Sequence, residues 1–389
     1  MAYTSPPKDS MRKYLNLLRL LWSLALSGMA SLILIASPNF FVWRMVLLAS
    51  EWSHWIALAG LPTLLPGWRR SRAGQIGGVL GLSATLVALS PLLRALPVAR
   101  NLPAQLATAF GSPAIPLGRP APLSLRELFV GVAHPTLTPQ TLVYSEQPHT
   151  VLDLDLYPAQ GPQPAPLVVV IHGGAWEGGD KSEMPAICHY LAGRGYAVAS
   201  INYRLAPAWP FPAALDDLNR ALDYLEQRAA GLGIDANRIV LIGRSAGAQL
   251  ALLVAYTRHD PAIRGVVGFY GPTDLPDLAA HPANPAILNT DTMLHNYVGA
   301  LHTDAARYHD ASPINYVGAH TPPTLLIHGQ RDEMIGFRQS QRLATQLAQT
   351  HRPVFLLDLP WANHAADFNM SGPSGQLSLY AVEYFLATR

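Results

Sequence analysis

Cysteine is almost absent. Cys188 is the only one in 389 residues, which excludes an intrachain disulfide and a thiolate metal site. Charge is scarce as well: Asp, Glu, Lys and Arg make up 13% of the chain, against the ~25% usual for soluble domains. No His-x-x-x-His pair and no carboxylate cluster marks a metal, so neither metal nor cofactor is expected. No internal repeat is visible. The few charges are unevenly divided, with ten Lys/Arg against Asp9 and Glu51 in residues 1–100 and a net acidic remainder, for +2 overall. The basic residues flank apolar runs and form no stripe on a polar domain, so nucleic acid is not an expected partner.

What the chain has instead is apolar length. Leu15 to Ala36 would span about 33 Å as a helix, enough to cross a bilayer. Two further stretches, Phe40 to Leu65 and Gly74 to Leu96, argue against a cleaved signal peptide and for a membrane domain of three spans over residues 1–96. Arg44, Glu51 and His54 interrupt the second span, with Glu51 and His54 expected to face other helices or water. Lys8, Arg12 and Lys13 precede the first span, and Arg69, Arg70 and Arg72 lie between the second and third. Both clusters should stay cytoplasmic, which puts everything after Leu96 on the periplasmic or extracellular side, although Arg94 and Arg100 pull the other way. Residues 97–122, rich in proline and small residues, read as a linker. Ser124 to Val132 reads as a short amphipathic helix with Ser124 as N-cap and Glu127 completing a capping box.

From about Val143 onward strands and helices alternate, a pattern that gives a mostly parallel sheet with helices on both faces. In this α/β domain, residues 123–389, Ile239 to Ile242 run straight into Gly243-Arg244-Ser245-Ala246-Gly247 and then into helix-forming residues. A strand that breaks into a helix through Gly-x-Ser-x-Gly is a nucleophile elbow. The bland reading is a serine that caps the helix. Two more loops follow strands: Gly329 to Glu333 after LLIHG, and Trp361 to His364 after the last strand. Serine, acid and histidine come in the order Ser245, Asp332, His364, and in an open α/β sheet such loops gather at the carboxyl ends of the strands. A serine hydroxyl needs a base, and the base needs an acid to fix its tautomer. Glu333 and Asp274 are rival acids. The amides of Gly173, Gly174 and Ala246 are placed to bind an oxyanion. His172 and His328 precede glycine turns and should brace those loops.

HGGAW, SINYRLAP, IGRSAGAQLA, FYGPTDL, LLIHGQRDEMI and Asn363-His364 together resemble the α/β-hydrolase superfamily, in its hormone-sensitive-lipase-like and acetylxylan/feruloyl-esterase-like branches. The resemblance covers about Leu142 to Arg389 and implies a serine carboxylesterase with the triad and oxyanion hole just named. Ala175 and Arg244 depart from the lipase-like HGGG and GDSAG patterns and leave the substrate class open. A small-molecule or glycan ester is the expected substrate. Acyl transfer by the same acyl-enzyme, a kynurenine-formamidase-like amidase and a non-catalytic binding module are the alternatives. Residues 275–312 interrupt the alternation as a cap-like insertion whose composition suits short acyl chains, with Trp176 and Trp361 either narrowing the acyl side or packing at strand ends.

Overall fold

The computed structural model describes residues 8–147, 150–299 and 304–389. Residues 1–7 of the expected membrane domain, the Lys8 side chain and residues 300–303 of the expected cap lie outside the described residues. The chain divides into two compact units, Met1–Pro97 and Val98–Arg389.

The first unit is helical, with α1 (Lys8–Ser31), α2 (Phe40–Glu51), α3 (Ser53–Gly60) and the start of α4 (Arg72–Phe110). Its interior sets Leu26, Ile33 and Ile56 among small side chains, Ala30, Ala49, Ala57, Ala84 and Ala88. Such residues let backbones approach closely; a Cβ on Gly81 would fall 1.9 Å from Thr63 Oγ1. The outside is apolar. Among the described residues, twenty-four large hydrophobic side chains are exposed here, against eight in the much larger second unit. The expected second span, residues 40–65, is not one helix, because α2 and α3 break at Trp52. The break falls in a polar stretch whose Ser50, Glu51, Ser53 and His54 are all turned inward and buried. Among the described residues, one helix, α4, is long and apolar enough to cross a membrane.

The expected linker is also corrected. Residues 97–110 continue α4, since AQLATAF is helix-forming and Pro103 does not stop it. Residues 111–122 lie along the last helix, α14 (Pro373–Ala387): Ala114 N–H donates to Ala387 O at 2.8 Å, and Gly118 N–H donates to Glu383 Oε1. The short helix α5 (Leu125–Val130) is capped by Ser124 Oγ, which accepts from Glu127 N–H at 3.4 Å. The reciprocal half of the capping box is missing. Ser124 N–H donates to Gln376 Oε1 at 2.7 Å, while Glu127 pairs with the buried Arg119 at 2.6 Å.

The second unit is an eight-stranded sheet in the order β1-β2-β4-β3-β5-β6-β7-β8. Its strands are β1 (Gln140–Gln147), β2 (Thr150–Tyr157), β3 (Ala165–Ile171), β4 (Ala197–Ile201), β5 (Ile234–Arg244), β6 (Ile263–Phe269), β7 (Thr324–Gly329) and β8 (Val354–Leu359). β2 runs antiparallel to β1 and β4, and every other pairing is parallel. The helices that join them are α6 (Pro185–Gly193), α7 (Ala213–Gln227), α8 (Ala229–Leu232), α9 (Ala246–Thr257) and α13 (Arg338–Gln349), with α14 last. β3 and β4 are wholly buried or nearly so, as strands covered on both faces must be. The insertion after β6 holds α10 (Leu275–Ala280), α11 (Thr290–Val298) and α12 (Ala305–Asp310). Because β5 to β8 are parallel neighbours, the loops that leave their carboxyl ends share one edge of the sheet.

Candidate active site

β5 delivers Ser245, which adopts φ 52°, ψ −120°, a region that residues with side chains rarely occupy. α9 begins at the next residue. The turn is closed from both sides. A Cβ on Gly243 would fall 2.1 Å from Gly247 O, and one on Gly247 would fall 2.3 Å from the carbonyl oxygens of Ile171 and His172. The serine hydroxyl makes no capping bond to α9. The capping role that competed with the nucleophile therefore has nothing behind it.

The loops after β7 and β8 bring Asp332 and His364 together, with His364 Nδ1 2.7 Å from Asp332 Oδ2. The carboxylate is fully buried, and its Oδ1 accepts the N–H groups of Met334 at 2.9 Å and Ile335 at 2.8 Å. Nε2 of the equally buried His328 stands 3.2 Å from Oδ2. Burial alone would raise the carboxyl pKa, but the charge on His364 and the hydrogen bonds of both histidines outweigh it and hold the group well below the usual range. An ionised carboxylate only accepts, so Nδ1 of His364 carries a proton and donates it, which leaves Nε2 as the nitrogen that can serve as base. The rival acids are engaged elsewhere. Glu333 Oε2 accepts from Asn363 Nδ2 at 3.0 Å, and Asp274 caps α10 and pairs with Arg342 at 2.6 Å.

The loop after β3 passes beside the elbow, where a Cβ on Gly173 would lie 3.1 Å from Arg244 O and 3.4 Å from Ser245 Cβ. Gly174, Ala175 and Trp176 all take positive φ, at 102°, 56° and 60°. Two groups pin this loop from behind. Tyr203 OH donates to His172 O at 3.0 Å and Gly173 O at 3.2 Å, and His172 Nδ1 donates to Gly173 O at 2.8 Å. The N–H and C=O of one peptide point opposite ways, so holding these carbonyls turns the N–H groups of Gly173 and Gly174 to the other side. Burial lowers the His172 pKa, which keeps the ring neutral as it braces the loop. Ala246, the third donor expected from the sequence, opens α9 with an N–H that has no partner inside the helix.

Trp176 and Trp361, offered by the sequence as pocket walls, present no open face: they are 1% and 2% exposed. Trp176 stacks on Tyr297 of α11 at 3.9 Å, and its Nε1 donates to Gln249 Oε1 at 3.0 Å; Trp361 Nε1 donates to Ser374 Oγ at 2.9 Å. Both are packing residues at strand ends. Three neighbours of the site escaped the sequence reading: Tyr270, whose ring lies 4.4 Å from that of His364, and the buried ion pair of Arg244 with Asp367. The only available signal was position, with Tyr270 at the end of β6 and Asp367 three residues past His364.

Residues 152–347, half of the chain, match the family model BD-FAE. The chain is 31% identical over 238 residues to the probable carboxylic ester hydrolase LipM of Mycobacterium tuberculosis, covering 57% of this chain and 54% of that protein. It is 29% identical over 259 residues to esterase LipC of the same organism, covering 63% and 64%. The chain thus spans between half and two-thirds of the length of these relatives. Among solved structures, an esterase of Pyrobaculum calidifontis superposes with TM-score 0.59 at 21% identity, covering 65% of this chain and 86% of that one. An acetyl ester-xyloside bifunctional hydrolase of Caldicellulosiruptor lactoaceticus gives TM-score 0.53 at 24%, covering 64% and 93%. At such identities the structural likeness speaks for the α/β-hydrolase fold alone.

Proposed function

The chain belongs to the BD-FAE family, and from that premise we propose a serine carboxylesterase that cleaves short-acyl esters while its first unit holds it to a membrane. The observation that carries the catalytic reading is the 2.7 Å contact between His364 Nδ1 and a buried, ionised Asp332, at the sheet edge where Ser245 stands on its strained turn. His364 Nε2 takes the Ser245 proton as the hydroxyl attacks the ester carbonyl, and Asp332 stabilises the resulting imidazolium. The tetrahedral oxygen is bound by the N–H groups of Gly173, Gly174 and Ala246. His364 then gives its proton to the departing alcohol, and a water activated by the same ring releases the acid from Ser245.

The short-acyl assignment is supported by the insertion after β6. Its apolar residues Met293, Leu294, Tyr297 and Val298 are buried, and among the described residues of the insertion no large hydrophobic side chain is exposed. A lid that met long chains would show an apolar face. Membrane attachment is supported by α4 and by the apolar outside of the first unit. Hydrolysis of p-nitrophenyl acetate, butyrate, decanoate and palmitate tests both parts. Turnover should fall steeply beyond butyrate and vanish in Ser245→Ala, whereas a wild-type preference for palmitate would defeat the short-acyl reading.

A further inference from the structure

Ser245 and His364 reach the site from different supports. The serine is fixed by β5, but the histidine hangs on a loop after β8, with β6 and β7 between them in the sheet. Strands lie about 4.8 Å apart, so the histidine loop must reach back about 14 Å toward the elbow. Sheet hydrogen bonds cannot set that reach. Asp332 fixes the tilt of the imidazole through Nδ1, but Asp332 comes from the loop after β7 and, among the described residues, its bonds run to His364, His328, Met334 and Ile335 and not to the elbow.

One buried group of residues does make the connection. Arg244, immediately before Ser245, forms an ion pair through Nη2 with Oδ2 of Asp367, three residues past His364. The two side chains are 12% and 5% exposed. Asp367 Oδ1 accepts the hydroxyl of Tyr270 at 2.5 Å, and the Tyr270 ring lies against His364 at 4.4 Å. Tyr270 holds φ 40°, unusual for an aromatic residue, and its N–H is tied to Ile327 O at 2.8 Å. Arg244 also stacks over Phe269, whose carbonyl accepts Ser245 N–H at 2.9 Å. Three of these contacts, Arg244 with Asp367, Tyr270 with Asp367 and Tyr270 with His364, have one end on the elbow or at the end of β6 and the other on the histidine loop.

Arg244 has two other readings, and both fail on the structure. As a receptor for an acidic substrate it would need space, yet the cavity it lines with Asp367 and Phe368 is about 30 Å³, room for a few waters and not for a substrate. As a source of stability it is poorly built. Its Nε and Nη1 are buried without a hydrogen bond among the described residues, and a buried ion pair left incomplete in this way is no better than an apolar pair.

We infer that Arg244, Asp367 and Tyr270 are positioning residues that set the distance and angle of His364 relative to Ser245. The inference rests on the Ser245 and His364 roles proposed above. The decisive variant is Arg244→Met/Asp367→Leu, which replaces the ion pair by an apolar one of similar bulk. Because it also strips the buried Tyr270 hydroxyl of its acceptor, it should stay folded but melt up to about 10 °C below wild type. Its kcat on p-nitrophenyl acetate, and its rate of labelling by a fluorophosphonate probe, should both fall about 10- to 100-fold with KM within about two-fold, as for a misplacement on the order of 1 Å. Tyr270→Phe, which keeps the ring and loses the hydroxyl, should show a smaller fall of the same kind and serves if the double variant does not fold. Wild-type kcat and labelling rate in whichever variant folds would overturn the inference, provided Ser245→Ala is inactive. Activity surviving in Ser245→Ala would instead overturn the catalytic reading itself, and the inference with it.

Discussion

Asp332 accepts from four donors: the N–H groups of Met334 and Ile335, and one ring nitrogen each from His364 and His328. His328 Nε2 also lies 2.8 Å from Ile335 O, and its Nδ1 lies 2.8 Å from Ser340 Oγ, so this ring stitches the acid loop to α13. The carboxyl is held below its ordinary value when folded and returns to about 3.9 on unfolding. The stability it confers is therefore present in full above about pH 5 and is lost as the pH falls through about 4 toward the folded pKa. Urea midpoints of wild type and Asp332→Asn should differ most near neutrality and converge on acidification; a gap that widens in acid would reverse the sign of the argument. Turnover of Asp332→Asn should drop by about 10⁴, as when other triads lose their acid, while Glu333→Gln, whose carboxylate meets Asn363, should lose little. Equal losses at the two positions would leave Glu333 in contention. Ser245, Asp332 and His364 could be proposed from the sequence because each follows a strand within a recognisable phrase. Tyr270, Arg244 and Asp367 were not, since nothing local to FYGPTDL or HAAD indicates that these side chains meet in space.

The elements that could be read were those whose pattern is local. The continuous apolar run LVVVI at 167–171 falls within β3, and the break from β5 to α9 falls at the Gly-x-Ser-x-Gly turn. Of the elements misread, the expected second span failed at its polar stretch around Trp52, and the others were ones that prolines seemed to forbid. α4 passes through Pro97 and Pro103, and residues 111–122 are ordered by bonds to α14 that only the folded chain reveals. Glycines separate the two kinds of constraint cleanly. At Gly247 a methyl group would meet the backbone oxygens of Ile171 and His172 at 2.3 Å, so α9 would have to back away from β3. At Gly231, in α8, a methyl group would meet nothing within 4 Å. Gly247→Ala should thus lower stability by about 1–3 kcal/mol and abolish turnover. Gly231→Ala should leave activity intact and raise stability by up to about 1 kcal/mol. Thermal melts and p-nitrophenyl acetate turnover check both, and an active, wild-type-like Gly247→Ala would show that the elbow is looser than its glycines indicate.

At the scale of the whole molecule, the proposed membrane attachment allows two topologies, and the break at Trp52 is where they part. Three full crossings, with Lys8, Arg12, Lys13, Arg69, Arg70 and Arg72 held inside, leave the hydrolase unit outside. α2 and α3, at 12 and 8 residues, are about 18 Å and 12 Å long, and only end to end do they match a hydrocarbon core of about 30 Å. If they instead dip in and return on one side, the chain crosses twice and the hydrolase unit lies in the cytoplasm. The inward-turned Ser50, Glu51, Ser53 and His54 fit either geometry, but the three arginines at 69, 70 and 72 favour full crossing, because a returning pair would carry them outside. The near absence of cysteine makes the test direct: the one native thiol, Cys188, is 0% exposed and should stay silent toward a membrane-impermeant maleimide. Gln349→Cys, exposed on α13, should label in intact cells, and Pro66→Cys, exposed in the loop before α4, should label only after permeabilisation. Labelling of Pro66→Cys without permeabilisation, with Gln349→Cys protected, would overturn the three-crossing arrangement and move the esterase to the cytoplasmic face.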